Sequence, residues 1–325
     1  MSALLADIGG TNARFAVLDG TLSEVLHLAV ADYPTAYDAV AAALARFGCA
    51  RPPAGAVLAF AGPVEAGRAV MTNAGWDTTA TALAERFAFE KVRLLNDYAA
   101  LALGLAHLEE ADRRRIGPAR PTARGPLAVL GPGSGLGVAA VVPADPPDVP
   151  CSVPLISEGG HATMPAADTL EAELLAVLRE EFGHVSAERA LSGPGLANIH
   201  RALGRLHGRT AEPLGPDEIS RRGVAGSDDL CRLATERFCL FLGTFAGNVA
   251  LNYGAQGGVF LAGGILPRFA DFLAASGFRA RFEDKGRFRG YLQAIPTWLI
   301  VRPDAAFLGL AAAARELPLT TARSG

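Results

Sequence analysis

Lysine is nearly missing from this 325-residue chain: of 30 basic residues, only Lys91 and Lys285 are lysines. Neither stands in a G-x-x-x-x-G-K-[ST] arrangement, so the lysine-bearing phosphate loop is excluded as the means of holding a nucleotide. Cysteine is scarce as well. Cys49, Cys151, Cys231 and Cys239 form no C-x-x-C pair, which removes local support for a structural zinc or a thioredoxin-like centre. Cys231 and Cys239 fall on one expected helix and read as small core residues. No apolar run approaches the roughly 18 residues of a membrane span. The first residues lead straight into Leu4-Leu5-Ala6-Asp7 without a basic stretch, so a cytoplasmic protein is expected. A dominant charge is missing too. The formal net charge of −3 offers no basic field to attract nucleic acid or an anionic membrane.

What is present is a soluble globular composition, 50% hydrophobic and 19% charged, in a chain long enough for two lobes. Short apolar strands are expected over 3–6, 13–18, 25–30, 56–61, 92–95, 127–130, 138–142 and 258–261. Helical spacing covers 36–47, 78–87, 98–108, 170–182, 195–206, 230–252, 267–275 and 305–315. The charged, proline-bearing stretch 109–124 reads as a boundary between lobes, and 143–154 as a proline-rich loop. This mixed order predicts an α/β protein. A strand–glycine turn–strand hairpin opens each half, and no other repeat is visible.

Four constellations carry chemistry. Asp7-Ile8-Gly9-Gly10-Thr11-Asn12-Ala13-Arg14 is a Gly-Gly turn whose backbone N–H groups can approach a phosphate without lysine. Thr11 and Asn12 add donors, and Asp7 can hold Mg²⁺, directly or through water. Gly131-Pro132-Gly133-Ser134-Gly135-Leu136-Gly137 repeats the theme, with the Ser134 hydroxyl beside its amides. Its continuation matches G-x-G-x-x-A, but that dinucleotide fingerprint must open a helix, whereas Val138, Val141 and Val142 continue as strand and Pro143 ends it. Ser157-Glu158-Gly159-Gly160-His161 and Glu188 supply carboxylates and an imidazole able to hold several hydroxyls of a polyol. The plain alternatives make His161 a loop residue and Glu188 a helix-start residue. Gly257 to Leu266 is a buried strand running into Gly263-Gly264, where a flat ligand such as adenine can lie against the backbone. At Leu95-Asn96-Asp97-Tyr98 a strand gives way to a helix and leaves a carboxylate, Asp97, at the rim of a sheet. As a base it would take a proton from a sugar hydroxyl; as a structural residue it would only cap its helix.

These segments, in this order, resemble the bacterial ATP-dependent glucokinase family of the sugar kinase/Hsp70/actin superfamily. The resemblance runs from Asp7 to the final helix. Asp7 to Arg14 and Gly131 to Gly137 match the two phosphate motifs, Gly258 to Ile265 the adenosine motif, and Leu95-Asn96-Asp97 the segment bearing the base. Glu158-Gly159-Gly160-His161 and Glu188-Arg189-Ala190-Leu191-Ser192-Gly193-Pro194-Gly195 match the glucose-binding segments. Met71-Thr72-Asn73-Ala74-Gly75-Trp76 matches a stretch near the sugar.

The resemblance implies a two-lobed actin-like ATPase (ribonuclease H-like) fold of mixed sheets with flanking helices and an active-site cleft between lobes. The smaller domain would span 1–108, joined by a C-terminal helix over 302–318, and the larger 109–301. The implied reaction is ATP plus D-glucose giving glucose 6-phosphate, with Mg²⁺. Asp97 would be the base acting on the 6-hydroxyl, with Asn73, Asn96, Glu158, His161 and Glu188 around the sugar. Asp7, Gly9, Gly10, Thr11, Asn12, Arg14, Gly133, Ser134, Gly135, Gly263 and Gly264 would hold the nucleotide. A homodimer is the usual assembly. The ROK group of glucokinases carries a zinc-binding cysteine cluster such as C-x-C-G-x-x-G-C; nothing like it exists here, so no zinc is expected. The alternatives are a kinase for another hexose, a polyphosphate-dependent glucokinase, a non-catalytic glucose sensor and, on the rejected fingerprint alone, an NAD-linked enzyme.

Overall fold

The computed structural model describes residues 2–48, 52–71, 74–118, 123–144 and 152–317. By its internal contacts the chain forms two units. One comprises Met1–Leu108, Ala144–Ile156 and Pro303–Gly325, the other Glu109–Pro143 and Ser157–Arg302. Asn73, Cys49 and Cys151 lie outside the described residues.

The first unit is built on the strand Ser2–Ile8, in which Ala3 to Ala6 and Ile8 are fully buried. It pairs antiparallel with Asn12–Asp19, setting Asp7 opposite Arg14, and parallel with Gly55–Phe60, which pairs parallel with Lys91–Asn96. Strands covered on both faces need no polar alternation, which is why Gly55–Phe60 is apolar throughout. The strand expected over 25–30 is Leu26–Ala29, shorter than the spacing predicts because Val30 opens a 3₁₀ turn, and a short strand, Thr21–Leu22, precedes it. Trp76–Thr79 corrects another expectation: it is a strand of a separate small antiparallel sheet, and the helix covers only Ala80–Phe87. Thr79 explains the switch, since its side chain accepts from the Ala82 N–H as the N-cap.

The helix Asp97–Gly104 follows its strand without a connecting loop. Asn96 keeps an extended backbone, and its side chain accepts from the amides of Tyr98 and Ala99. The cap is therefore Asn96, and Asp97 is the first helical residue. The helix is shorter than expected, giving way to a 3₁₀ turn over Leu105–His107. Against it packs the C-terminal helix Ala306–Arg315. Their backbones meet at Gly309, where a Cβ would stand 1.8 Å from the Ala100 carbonyl oxygen. Phe307 and Leu310 on this helix, and Leu103 and Leu105 on or just after the other, are all buried. Full burial of such a side chain contributes about 1.5–3 kcal/mol.

The second unit repeats the arrangement. Its sheet places Arg113–Arg115, Thr297–Ile300, Gly258–Leu261, Leu127–Pro132 and Leu136–Val142 side by side. As in the first unit, an antiparallel hairpin adjoins a parallel strand. The expected glycine loop over 131–137 shrinks to Gly133-Ser134-Gly135, since strand continues through Pro132 and resumes at Leu136. The residues after the glycines are strand, as the rejection of the dinucleotide fingerprint requires. The long helix Asp229–Tyr253 buries Phe238, Phe241, Leu242 and Phe245 at the centre of this unit's core. Residues 267–275 are not one helix but a 3₁₀ turn, Leu266–Phe269, followed by Ala270–Ala275.

Candidate active site

In the first unit the sequence-predicted groups converge on the end of the Ser2–Ile8 strand. The hairpin tip is closed by the Gly9 N–H donating to the Asn12 carbonyl at 2.9 Å. Among the described residues, the Gly10 and Thr11 amides have no protein acceptor, and Gly10, Thr11 and Asn12 are exposed. Two consecutive unclaimed N–H groups at a tight turn form an anion-binding concavity.

Beneath the tip, Arg14 Nη1 donates to Asp7 Oδ2 at 3.0 Å. Asp7 has its carboxyl raised, because burial outweighs the Arg14 guanidinium that lowers it. Asp97 is half-buried, and one of its oxygens accepts from the Tyr98 N–H at 2.9 Å. Burial first, and the Asp7 carboxylate second, push Asp97 up to about 7. Asn96 caps the helix through Oδ1, and its Nδ2 gives one hydrogen to the Gly62 carbonyl at 3.2 Å, keeping a second to donate. The capping explanation of Asp97 thus falls to its neighbour, leaving a carboxyl with a near-neutral pKa at a helix N-terminus.

Asp304 was not legible in the sequence. Its Oδ1 lies 3.1 Å from Arg14 Nε and its Oδ2 3.8 Å from His27 Nε2. It takes a left-handed backbone (φ 53°), rare for a residue with a side chain. The only signal was Pro303-Asp304 ahead of an Ala-rich helix, which reads as an ordinary helix start.

In the second unit the remaining groups collect around the second hairpin. Gly133 N–H donates to the Gly135 carbonyl at 2.8 Å, and among the described residues the Ser134 and Gly135 amides have no protein acceptor. The two tips share this feature. Glu188 sits under the second one, its Oε2 accepting from the Leu136 N–H at 2.9 Å. A Cβ at Gly135 would stand 2.5 Å from that oxygen, so glycine there lets the carboxylate reach the backbone. Glu188 follows Ser186, the cap of the short helix Ala187–Ala190, and half-buries its side chain. Gly193 N–H donates to the Gly133 carbonyl at 2.8 Å, tying the helix after Glu188 to the tip. Gly263 lies against Pro132, where a Cβ would come 2.3 Å from the carbonyl oxygen, and Gly264 is exposed beyond it.

Glu158 and His161 are exposed on a 3₁₀ turn with Oε2 and Nε2 3.9 Å apart. The Ala187 N–H donates to the Ala162 carbonyl at 2.8 Å, bringing this turn to the Glu188 segment. Glycine hairpins with unclaimed amides, a titratable carboxylate starting a helix, and a carboxylate–imidazole cluster define a phosphotransferase of the actin-like ATPase fold.

The comparisons with known proteins narrow the class. The family model described as Glucokinase matches residues 4–317. A glucokinase of Nitrobacter hamburgensis is 46% identical over 98% of this chain and 98% of its own. The crystal structure of a glucokinase from an Antarctic psychrotroph is similar with a TM-score of 0.88 and 35% identity, covering 97% of this chain and 99% of that one. A ROK family glucokinase from Streptomyces griseus, at 17% identity and a TM-score of 0.65 over 98% of this chain and 100% of that one, shares the fold. The chain belongs to the glucokinase family, and is a hexose kinase that phosphorylates glucose.

Proposed function

We propose that this enzyme transfers the γ-phosphoryl group of ATP to the 6-hydroxyl of D-glucose, with Asp97 as the base. The carrying observation is that Asn96 caps the helix while the Asp97 carboxyl rises to about 7. A base poised near the working pH combines the ionised form with a useful proton affinity. Asp97 takes the 6-hydroxyl proton as that oxygen bonds to the γ-phosphorus and the bond to the β–γ bridging oxygen breaks, leaving ADP. Such a transfer asks for positioning and charge stabilisation more than covalent chemistry.

The amides of Gly10, Thr11, Ser134 and Gly135 take phosphate oxygens, aided by the Ser134 hydroxyl, Gly9, Asn12, Gly133 and Arg14. Gly263 and Gly264 leave room for the adenosine. Asn73, Asn96, Glu158, His161 and Glu188 hold sugar hydroxyls, where a carboxylate accepts from neighbouring hydroxyl groups. Mg²⁺ fits the first unit, because the half-buried Asp7 carboxylate and the neighbouring Asp97 repel one another, and Arg14, which compensates Asp7, is shared with Asp304. Asp7 would hold it, directly or through water, and the ion would supply charge neutralisation for the phosphates. The family resemblance further supports a cytoplasmic location and a homodimer, and light scattering on the eluting protein checks the homodimer.

The test is ADP release from Mg·ATP with glucose, fructose, mannose, glucosamine and no sugar, for wild type and Asp97→Asn. Glucose well ahead of the others in wild type, and turnover lost in Asp97→Asn with glucose binding kept, is the expected result. Near-normal turnover in Asp97→Asn removes the base assignment. No ADP release with any sugar, despite glucose binding, points to polyphosphate as donor or to a sensor.

A further inference from the structure

Three metal-ligating side chains meet inside the second unit, among residues that the kinase reaction does not use. His200, on the helix Gly193–Leu206, is 3% exposed, and Cys231, in the first turn of Asp229–Tyr253, is 0% exposed. Asp228 caps that second helix. One donor atom from each lies within 4.8 Å of the others.

Helix capping accounts for only part of this cluster. Asp228 Oδ1 accepts from the Cys231 N–H at 2.9 Å, the ordinary reach of an N-cap side chain. It does not account for His200, which comes from a different helix and places Nε2 3.7 Å from Cys231 Sγ. Cys231 Sγ thus faces both the His200 imidazole, whose Nε2 donates or accepts according to its tautomer, and the Asp228 carboxylate.

We propose that His200, Asp228 and Cys231 bind a zinc-type divalent ion, with water as the fourth ligand. A tetrahedral ion with Zn–S of about 2.3 Å and Zn–N of about 2.0–2.1 Å sets sulfur and nitrogen about 3.5 Å apart, close to the spacing observed here. One thiolate, one imidazole and one carboxylate form a borderline-soft donor set, which suits zinc or cobalt and not magnesium or calcium. The charged groups facing the cluster, Glu212 and Arg222, pair with each other at 2.8 Å. The ion's two positive charges are therefore balanced by the Asp228 carboxylate and the Cys231 thiolate. Binding releases the thiol proton to solvent as the metal–sulfur bond forms. The ion would pin the helix Gly193–Leu206 to the start of the long central helix. The expectation of no zinc concerns local cysteine spacing, whereas here His200 is remote in sequence from the neighbouring Asp228 and Cys231 and joins them only when the chain folds.

The experiment strips the purified full-length protein with a chelator and titrates it with Co²⁺, reading absorbance. A thiolate-to-cobalt charge-transfer band saturating at one equivalent, displaced by Zn²⁺ but not by Mg²⁺, is expected. Cys231→Ser should abolish the band and Cys239→Ala leave it intact. His200→Gln and Asp228→Asn should weaken binding by more than the roughly 10–100-fold that loss of an outer-sphere partner costs. Asparagine caps helices as well as aspartate does, so Asp228→Asn keeps the test open if a buried variant fails to fold. The proposal is overturned by folded wild type that shows no thiolate band, by a band that survives Cys231→Ser, or by unchanged affinity in Asp228→Asn.

Discussion

Asp304 holds Arg14 from a left-handed backbone: its Oδ1 lies 3.1 Å from Arg14 Nε at φ 53°. Arg14 in turn donates to Asp7, so one guanidinium spans two carboxylates. Strained dihedrals of this kind cost on the order of 1–3 kcal/mol and persist where the surroundings over-determine them. Asp304→Gly should remove the strain and the side chain together, while Asp304→Asn keeps the shape and loses the charge. Both should lower kcat/KM for ATP by about tenfold, the equivalent of ~1.4 kcal/mol for a charge-assisted contact. KM for glucose should stay near wild type. Thermal unfolding separates the effects, because Asp304→Gly should be no less stable than Asp304→Asn. Unchanged ATP kinetics in both would reduce Asp304 to a bystander.

The carboxyl of Asp97 ties activity and stability to pH in opposite directions. Burial and Asp7 raise it to about 7, so the ionised base accumulates, and kcat/KM for glucose should rise, as pH climbs through about 7. The native state then binds a proton more tightly than the unfolded chain, in which the group returns to an ordinary carboxylate value. Stability contributed by the neutral form is fully present below about 4 and is lost as pH rises from there to about 7. Asp97→Asn, always neutral, should match wild type near pH 4 and become the more stable protein by on the order of 2–4 kcal/mol near pH 8. Denaturant unfolding of both proteins across this range is the check. A constant difference between them would show that Asp97 titrates normally.

Glu188 reaches the second hairpin only because position 135 has no side chain. Gly135→Ala should push the carboxylate off the Leu136 amide and raise KM for glucose by about tenfold, corresponding to loss of one hydrogen bond to a charged group. Glu188→Gln keeps an acceptor for that amide but loses the charge proposed to meet sugar hydroxyls. The two variants should therefore resemble each other in KM and differ in stability. If Gly135→Ala leaves glucose kinetics untouched and affects only ATP, the glycine serves the phosphate tip alone.

Turn chemistry made much of the first unit legible. Gly9-Gly10 and Asn96-Asp97 announce their geometry locally, and the helix Ala36–Phe47 has the bounds its helical spacing predicts, with Thr35 as its cap and Gly48 closing it. Arg113–Arg115 was hidden because three consecutive arginines read as a solvated boundary. It forms a strand by laying Arg113 and Arg115 on the Trp298 ring, each guanidinium carbon 4.4 Å from the ring centroid. Such stacking is tertiary and leaves no local pattern. Asp304 and His200 were hidden for the same reason, their partners being Arg14 and Cys231, remote in sequence. The glycines of the two hairpin tips were visible from spacing, but the link from Gly135 to Glu188 needed the fold.

The position of Asp97 depends on a contact that contains no functional group. Its helix is backed by the C-terminal helix, and at Gly309 the two backbones are too close for any side chain, a Cβ standing 1.8 Å from the Ala100 oxygen and 2.7 Å from the Gly104 nitrogen. Both obstacles are main chain and cannot rotate aside. Gly309→Ala must therefore separate the helices, at a cost of about 1–3 kcal/mol for an overpacked core. The helix Asp97–Gly104 is the shorter partner and carries the proposed base on its first residue. Its shift should lower kcat, and because the C-terminal helix also packs on Ser2–Ile8, KM for ATP is measured beside it. Ala312→Gly, on the same C-terminal helix but half-buried, supplies the control: it loses helix propensity, about 1 kcal/mol, without forcing the helices apart. If Gly309→Ala loses stability and kcat together while Ala312→Gly loses stability with kcat intact, the close contact is what sets the base. Equal kcat in the two variants would mean that Asp97 is held by its strand and by Asn96, independently of the helix behind it.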